Sequence, residues 1–340
     1  MTSRARRSSW AIVRSLSIAL ALTVALAWGI GRVVTDRFPV IQYLYWIPTI
    51  VALAITLVCA ISLARSNWRR YKWVLWGIAF VQAIVFVLQD YRIVGSSPVA
   101  RAGVGSSIGI AHINAGWPGD SSAILAGGIS DGLKRVYGDP GPDILLISEP
   151  GRLLDPQVAI GRCMTDARAV SVGRFAVVSR VPIVDAMPLY DDAKSSAAFV
   201  RFGPWHGIPS WGALLVDFPS DPSIARSTHL AKFRSQLESL RVPSALVIVG
   251  DFNTTRGGSA VQEFAPTMRD AFTAAGIGYG ATYPRAFPLW HIDLMLIAPS
   301  VLVERYEIID TGFGKHRMQV ATMRFELGTD SPRETGQRNQ

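Results

Sequence analysis

Three long stretches without charge occupy most of the first ninety residues. They cover residues 15–31, 38–64 and 73–89 and contain 17, 27 and 17 residues. A helix rises about 1.5 Å per residue and the hydrocarbon core of a bilayer is about 30 Å thick, so each stretch can roughly span it, with Arg14 and Lys72 reaching the surface. Tryptophan and tyrosine residues fall near the predicted ends, where bilayers favour them. The pattern predicts an anchor of three transmembrane helices over residues 1–91, in contact with lipid through residues 10–91.

Two alternatives to this anchor follow from the same stretches. The first stretch could be a cleaved signal peptide, because Arg4, Arg6 and Arg7 resemble a basic leader region. Two further spans would still follow, so membrane attachment is expected in either case. The stretches could also be buried core helices, but aromatic ends and basic flanks favour membrane spans.

A different pattern begins after residue 106. Short runs rich in β-branched residues predict strands over Ile108–Ile113, Ile144–Ile147, Phe175–Val178, Ala198–Phe202, Ala213–Val216, Leu246–Val249, Leu294–Ile297 and Val320–Phe325. Helical periodicity predicts helices over Ser122–Val136 and Ser223–Leu240. We therefore expect one α/β domain over residues 107–327, a linker over 92–106 and a polar, disordered tail over 328–340.

Composition divides the chain at the same place. Of 340 residues, 49% are apolar and 17% are charged, and the formal net charge is +9. Residues 1–90 hold ten of the 34 basic residues and two of the 25 acids, whereas residues 91–340 hold 24 bases and 23 acids. The nearly neutral α/β domain thus lacks the overall basic excess of a nucleic-acid binder, although a local patch could lie within a neutral total. Two cysteines, Cys59 and Cys163, exclude a disulfide framework and a cysteine-rich zinc module.

The basic residues of the anchor predict its orientation. Four arginines precede the first span and four basic residues lie within residues 65–72, whereas the loop over residues 32–37 has two arginines and one aspartate. The positive-inside rule places the N-terminus and the second loop in the cytoplasm. The α/β domain is then extracytoplasmic, on a multi-pass anchor in the plasma membrane. No span has an interior ionisable residue, so the anchor is expected only to attach the domain.

Polar residues that could carry chemistry follow the predicted strands. The strings are HINAGWPGD with Asn114, PDILLISEP with Glu149, VIVGDFNTT with Asp251 and Asn253, WHIDLMLIAP with Asp293, and GKHRMQ with His316. Taken singly, most have a structural explanation, because Asn and Asp commonly cap turns at strand ends. The GDFN string is more specific. A carboxylate and an amide two positions apart can hold a hydrated hard cation or orient a water molecule.

The order of these strings resembles the endonuclease/exonuclease/phosphatase superfamily. The resemblance covers roughly residues 107–327. Two further segments support it: FAVVSRVPI (Phe175–Ile183) resembles the family's strand ending in Ser-Arg-x-Pro, and MRDAFTAAG followed by ATYP resembles its Asp-aromatic segment and Thr-aromatic-Pro turn. The resemblance implies a four-layer α/β sandwich of the deoxyribonuclease-I type. It also implies a divalent-metal-dependent phosphoesterase acting on a phosphodiester, either nucleic acid or a lipid headgroup, with no protein partner expected.

The resemblance also implies roles for six residues. Glu149 would be the main ligand of Mg²⁺ or Mn²⁺, with Asn114 beside it. Asp251 would orient or deprotonate the attacking water, and Asn253 would hold that water or the phosphate. His316 would donate to phosphoryl oxygens, and Asp293 would fix a neighbouring group. A hard cation suits this set because its expected ligand atoms are oxygens.

The sequence departs from the family at three places. Ser148 stands where the family prefers glutamine before the glutamate. The usual Ser-Asp-His string is replaced by Gly314-Lys315-His316, which puts a positive charge beside the histidine. The family's middle histidine is absent as well: Asp217 or Phe218 falls near its position, and His206 lies upstream and could substitute for it. His229 has the family's Thr-His-Leu spelling but falls inside a predicted helix. These departures leave an alternative open, a catalytically weakened domain that binds a ligand or a partner.

Overall fold

The computed structural model describes residues 3–63, 69–93, 106–139, 141–153, 164–192 and 195–326. The predicted tail and most of the predicted linker lie outside these residues. Helices form most of the described part of residues 3–90, and two large β-sheets with their covering helices form most of the rest.

The first sheet has six strands. Across the sheet they are β13 (Val301–Ile309), β14 (Met318–Phe325), β2 (Ser107–Asn114), β3 (Ile144–Ser148), β5 (Phe175–Ser179) and β4 (Arg168–Val172). Strands β2 and β3 are parallel, and all other neighbours are antiparallel. Because β2 and β3 are parallel, the residues at their carboxyl ends, Asn114 and Ser148, lie side by side at one end of the strands.

The second sheet also has six strands. Their order is β10 (Arg269–Asp270), β12 (Asp293–Ile297), β9 (Val247–Asp251), β8 (Trp211–Asp217), β7 (Ser196–Phe202) and β6 (Ile183–Asp191). Here β8 and β9 are the parallel pair, with Asp217 opposite Asp251. The antiparallel strand β12 brings Asp293 opposite Asp251 on the other side. Three aspartates thus meet at one end of this sheet.

The two sheets pack face to face, with helices on their outer faces. The shared core contains Ile110, Val177, Val200, Leu215 and Met295. Helix α5 (Ser122–Tyr137) covers the first sheet through Leu125 and Ile129. Helices α6 (Arg226–Ser239) and α7 (Ser259–Phe264) cover the second through Leu230, Phe233 and Phe264. The α/β fold with two sheets that the sequence predicts is confirmed.

Among the described residues, three helices of 14 or more residues precede this sandwich. They are α1 (Ser3–Val34), α3 (Thr49–Ser62) and α4 (Arg69–Val85), the last continued by a π-helical turn (Phe86–Asp90). At one end of the bundle, Ile18, Leu63 and Leu75 pack together. At the other end, Arg32 donates to Thr49 at 2.5 Å and pairs with Asp90 at 3.4 Å. Helices α1 and α4 therefore run in the same direction, and α3 returns between them.

The predicted second span, residues 38–64, is not one helix. It divides into a five-residue helix α2 (Ile41–Tyr45) and the 14-residue α3. Pro48 precedes α3, and a proline lacks the N–H that would let a helix continue through it. Fourteen residues extend only about 21 Å, less than the hydrocarbon core. Among the described helices, two rather than three are long and apolar enough to cross a membrane, Ile12–Val34 and Arg70–Asp90.

The segment between α1 and α3 is attached to the sandwich. We call residues 35–48, which include α2, the arm. The Gln42 side chain donates to the Pro222 carbonyl at 2.8 Å, and the Tyr45 hydroxyl donates to the Arg256 carbonyl at 2.7 Å. A two-stranded pair of β1 (Tyr91–Arg92) and β11 (Gly278–Tyr279) adds a second attachment, at the end of α4. The short helix α8 (Ala271–Ala275) follows β10 and packs near β12 and β13.

Candidate active site

The six residues singled out in the sequence gather at one end of the sandwich. Strands β2 and β9 end there with Asn114 and Asp251, Glu149 directly follows β3, and Asp293 begins β12. A cleft of about 490 Å³ opens at this point, and its lining includes Asn114, Glu149, Asp217, Asp251, Asn253 and His316. Asp293 lies behind the cleft surface, with 1% of its area exposed.

His316 connects two of the aspartates. Its Nδ1 lies 2.9 Å from Asp293 Oδ2, and its Nε2 lies 3.8 Å from Asp251 Oδ2. Burial disfavours the imidazolium, but the charge of Asp293 and its hydrogen bond, with Asp251 and Asp217 behind them, raise the pKa of His316 to about 9. Burial likewise disfavours the Asp293 carboxylate, yet the His316 charge outweighs it and lowers the pKa of Asp293. At neutral pH this pair is therefore an imidazolium held by a carboxylate.

Asp251 stands at the centre of a hydrogen-bond network. Its Oδ2 accepts from Asn114 Nδ2 at 2.9 Å, and its Oδ1 accepts from the Asn253 backbone N–H at 2.8 Å. Burial and the neighbouring Asp293 charge raise the pKa of Asp251 to about 7, although His316 acts in the opposite direction. A carboxylate poised near neutral pH is suited to accept a proton.

Two site residues have left-handed backbone conformations. Glu149 has φ of 50° and Asn253 has φ of 47°. Such values are uncommon for residues other than glycine and are held by surrounding contacts. The Glu149 N–H donates to the Arg174 carbonyl at 2.9 Å, and Asn253 Nδ2 donates to the Phe218 carbonyl at 2.8 Å. These bonds fix the turns that bring both side chains to the cleft.

The donor set of the cleft fits a divalent cation with oxygen ligands. Glu149, Asp217 and Asp251 line one cavity. Burial, together with the charges of Asp251 and Glu149, raises the pKa of Asp217 to about 8. Carboxylates that disfavour one another's ionisation are stabilised by a cation between them, and oxygen donors select Mg²⁺ or Mn²⁺. Asp251, Asp293 and His316 also have ligand atoms within 4.8 Å of one another. With its pKa raised to about 9, His316 is protonated at neutral pH and has no free lone pair for a metal, so the Glu149 side suits a cation better.

The cleft also contains residues that the sequence did not assign. Asp217 lies at the end of β8, at the place where the resemblance expects a histidine. The Tyr283 ring lies 4.9 Å from the His316 ring, centroid to centroid. Arg174 lines the cleft and pairs with Asp191 at 3.0 Å. The exposed Lys315, which replaces the family's aspartate, lines it too.

The remaining histidines lie elsewhere. His206 is exposed in the turn from Trp205 to Ile208 and does not line the cleft, so it does not replace the missing histidine. His229 lies in α6, as the sequence predicts, with its ring against that of Phe218. His112 is buried between Ser148 and Gln319. His291 contacts Arg256 at 3.0 Å.

Comparisons with known proteins agree with this arrangement. A family model described as "Endonuclease/Exonuclease/phosphatase family" matches residues 125–312. No curated protein matches the chain. Among solved structures, an endonuclease/exonuclease/phosphatase family protein from Bacteroides thetaiotaomicron is 16% identical with a TM-score of 0.52, covering 66% of this chain and 100% of that one. A mannosyl-6-phosphatase from the same organism is 15% identical with a TM-score of 0.50, covering 64% of this chain and 99% of that one. At these identities the structural likeness shows the fold.

Proposed function

The chain belongs to the endonuclease/exonuclease/phosphatase family, and on that basis we propose that it is a membrane-attached, divalent-metal-dependent phosphoesterase. The observation that supports this most strongly is the position of His316 between Asp293 and Asp251, in a cleft that also contains Glu149 and Asn114. A purely structural cluster would not require carboxylates with raised pKa values around an accessible cavity.

Each residue has a role in this proposal. Glu149 and Asn114 would hold Mg²⁺ or Mn²⁺, which when bound neutralises charge on a phosphate oxygen. Asp251 accepts the proton of the attacking water, because its pKa lies close to neutral. Asn253 orients that water or the phosphate. His316 donates a hydrogen bond to the phosphoryl oxygens, where negative charge increases in the transition state.

Asp293 keeps His316 in the required state. Its carboxylate accepts from Nδ1, so Nε2 is directed towards Asp251 and the cleft. Asp217 places a further carboxyl group at the position where the family has a histidine. We expect it to act through the electrostatics of the cation site, since burial and its neighbours already raise its pKa.

The proposed membrane attachment rests on the helices α1 and α4. Both contain segments of spanning length, and the arm and the sandwich lie together at one end of the bundle. The arginines of the first seven residues belong to the other end of α1. Because α1 and α4 run in the same direction, this arrangement requires α3 to return the chain across the bilayer between them, and a helix shorter than the hydrocarbon core does so by thinning the bilayer locally. With the start of α1 in the cytoplasm, the phosphoesterase domain is then extracytoplasmic.

Hydrolysis of a chromogenic phosphodiester by the full chain in detergent micelles, with added Mg²⁺ or Mn²⁺, tests the proposal. Asp251→Asn and Glu149→Gln should each lower kcat about 100-fold or more, because each removes an electrostatic element of the transition state. Asp131→Asn, an exposed acid on α5, is the matched control and should retain activity. Equal turnover by the wild type and both site variants would contradict the proposal.

The substrate class is tested on the same preparation. Single-stranded DNA should bind with an affinity that falls steeply with salt if the substrate is a nucleic acid. A shallow salt dependence together with hydrolysis of phospholipid headgroups in mixed micelles would favour a lipid phosphodiester.

A second candidate is a binding domain with weakened catalysis. Lys315, exposed at the cleft in place of the family's aspartate, favours it. Ligand binding without turnover by the wild-type chain would support this candidate over the enzyme.

A further inference from the structure

The arm buries polar side chains against the sandwich. Asp36 and Gln42 are fully buried, and Tyr45 is 4% exposed, whereas Val40 on the same segment is 76% exposed. A segment that served only as a connection between two membrane helices would have no need to bury an aspartate and a glutamine. Buried polar groups are retained where they have hydrogen-bond partners, and the side chains of Asp36, Gln42 and Tyr45 bond to the phosphoesterase domain.

The arm caps two helices of the domain. The N-cap residues of α6 and α7, Ala225 and Gly258, provide no side-chain acceptor of their own. Gln42 Oε1 accepts from the Arg226 N–H at 3.1 Å, and Asp36 Oδ1 accepts from the Ala260 N–H at 3.1 Å. Free N–H groups at a helix start need such acceptors. Two helices of the domain are therefore completed by residues from the anchor.

The absence of a side chain at Gly258 allows Asp36 to approach the start of α7. A Cβ atom at this position would lie 2.6 Å from Asp36 Oδ2, closer than real contacts permit. The Asp36 carboxylate also accepts from the Thr254 hydroxyl at 3.1 Å. Thr254 follows Asn253 directly, so the arm contacts the catalytic loop itself.

Arg226 extends the contact to the site. It is 1% exposed, its guanidinium lies over the Trp46 ring at 5.3 Å, and its Nε donates to the Asn253 carbonyl at 2.8 Å. Asn253 has the left-handed conformation described above, and its N–H donates to Asp251. A continuous chain of contacts thus leads from the arm through Arg226 to the carboxylate proposed as the base.

The loop of residues 253–256 is also held at its far end, at Arg256. The Tyr45 hydroxyl donates to the Arg256 carbonyl, and the Trp290 indole donates to the Trp46 carbonyl at 2.8 Å. The arm therefore holds residues 253–256 at three places: at Asn253 through Arg226, at Thr254 and at Arg256.

We propose that the arm is a positioning element of the active site: Gln42 and Trp46 hold Arg226, which with Asp36 and Tyr45 fixes the loop 253–256 that orients Asn253 and Asp251. This inference rests on the proposed phosphoesterase function and assigns the anchor a role beyond attachment. Arg226 and the arm residues are positioning residues, since they act through Asn253.

The test compares Gln42→Leu with Val40→Ala in the full chain in detergent micelles. Gln42→Leu removes the cap of α6 while keeping the volume, and it should lower kcat about 10- to 100-fold with KM changed by less than about twofold, because a small displacement of a catalytic group has an effect of this size. Amide hydrogen exchange of residues 250–256 should become faster in this variant. Val40→Ala, on the exposed side of the arm, should change neither quantity.

Tyr45→Phe provides a second variant if Gln42→Leu fails to fold. It removes only one hydroxyl from the contact with Arg256, and it should lower kcat about threefold, a factor that corresponds to a single lost hydrogen bond. Wild-type kcat and wild-type exchange in both variants, measured on folded chains, would overturn the inference.

The exchange measurement separates this inference from the proposed function. If the wild-type chain hydrolyses no phosphoester, the function fails while the comparison of exchange in Gln42→Leu and Val40→Ala still tests the arm. If the wild type is active and the arm variants equal it in kcat and exchange, the arm inference fails and the function stands.

Discussion

The charges of three residues set the pH dependence expected of the site. Asp251, with its pKa raised to about 7 by burial and by Asp293, must be ionised to accept a proton, so activity should rise with pH through about 7. Burial opposes the His316 imidazolium, but the charge of Asp293 outweighs it and raises the pKa to about 9, so activity should fall as His316 loses its proton above about 9. A plot of kcat/KM against pH should therefore be bell-shaped, with its maximum at about pH 8.

Asp293→Asn tests the assignment of the alkaline limb. The amide removes the charge that raises the pKa of both His316 and Asp251, so both limbs of the bell should move to lower pH. The measurement is kcat/KM between about pH 5 and 10 for wild type and variant. An alkaline limb that stays at the same pH in the variant would show that a group other than His316 titrates there.

At the scale of strands and helices, close packing determines one residue of the GDFN string. In β9, a Cβ atom at Gly250 would lie 1.8 Å from the Val216 carbonyl oxygen of the parallel strand β8. Gly250→Ala should therefore lower the free energy of unfolding by about 1–3 kcal/mol or more, as overpacking does. Gly127→Ala in α5, where nothing lies within 4 Å of the added Cβ, should leave stability unchanged or raise it by about 0.5–1 kcal/mol.

Denaturant unfolding of the two glycine variants and the wild type provides the comparison. If Gly250→Ala and Gly127→Ala shifted the unfolding midpoint equally, close approach of β8 would not be the reason for the glycine. Gly250 lies beside Asp251, the residue proposed as the base, so Gly250→Ala should lose activity as well as stability.

The sequence predicted the buried strands well because they form continuous apolar runs. All eight predicted strands are present with ends within a few residues, such as Ile144–Ser148 for the run ILLIS. The strands β4, β6 and β13 were missed, because their residues alternate with exposed or charged positions, as in VLVERYEII. The residues proposed for the site lie at the ends of these strands, and this explains why they could be named before the fold was known.

The arm could not be predicted from sequence in the same way. Gln42 and Arg226 are 184 residues apart, and nothing local to either of them indicates the contact. Asp217 had a weaker signal, since it falls where the family has a histidine. Its raised pKa depends on burial and on the charges of Asp251 and Glu149, and all of these arise only in the fold. Long-range contacts of this kind arise from the packing of whole elements, and hydrophobic periodicity does not specify them.

At the scale of the whole molecule, one end of the helix bundle contacts the sandwich at two places, through the arm and through the β1–β11 pair. If α1 and α4 cross a membrane, the arm and the domain must then lie on the same side of it, opposite the arginine-rich start of α1. The positive-inside rule assigns that start to the cytoplasm, so the domain should be outside.

Reporter fusions decide this arrangement. Alkaline phosphatase, which requires an oxidising compartment to fold, should be active when fused after Phe325, and green fluorescent protein at the same place should be dark. Fusions at the N-terminus should behave in the opposite way. A fluorescent fusion after Phe325 with inactive alkaline phosphatase would place the domain in the cytoplasm. The arm would then have to lie in the cytoplasm as well, because its contacts with Arg226 and Arg256 connect it to the domain in either orientation.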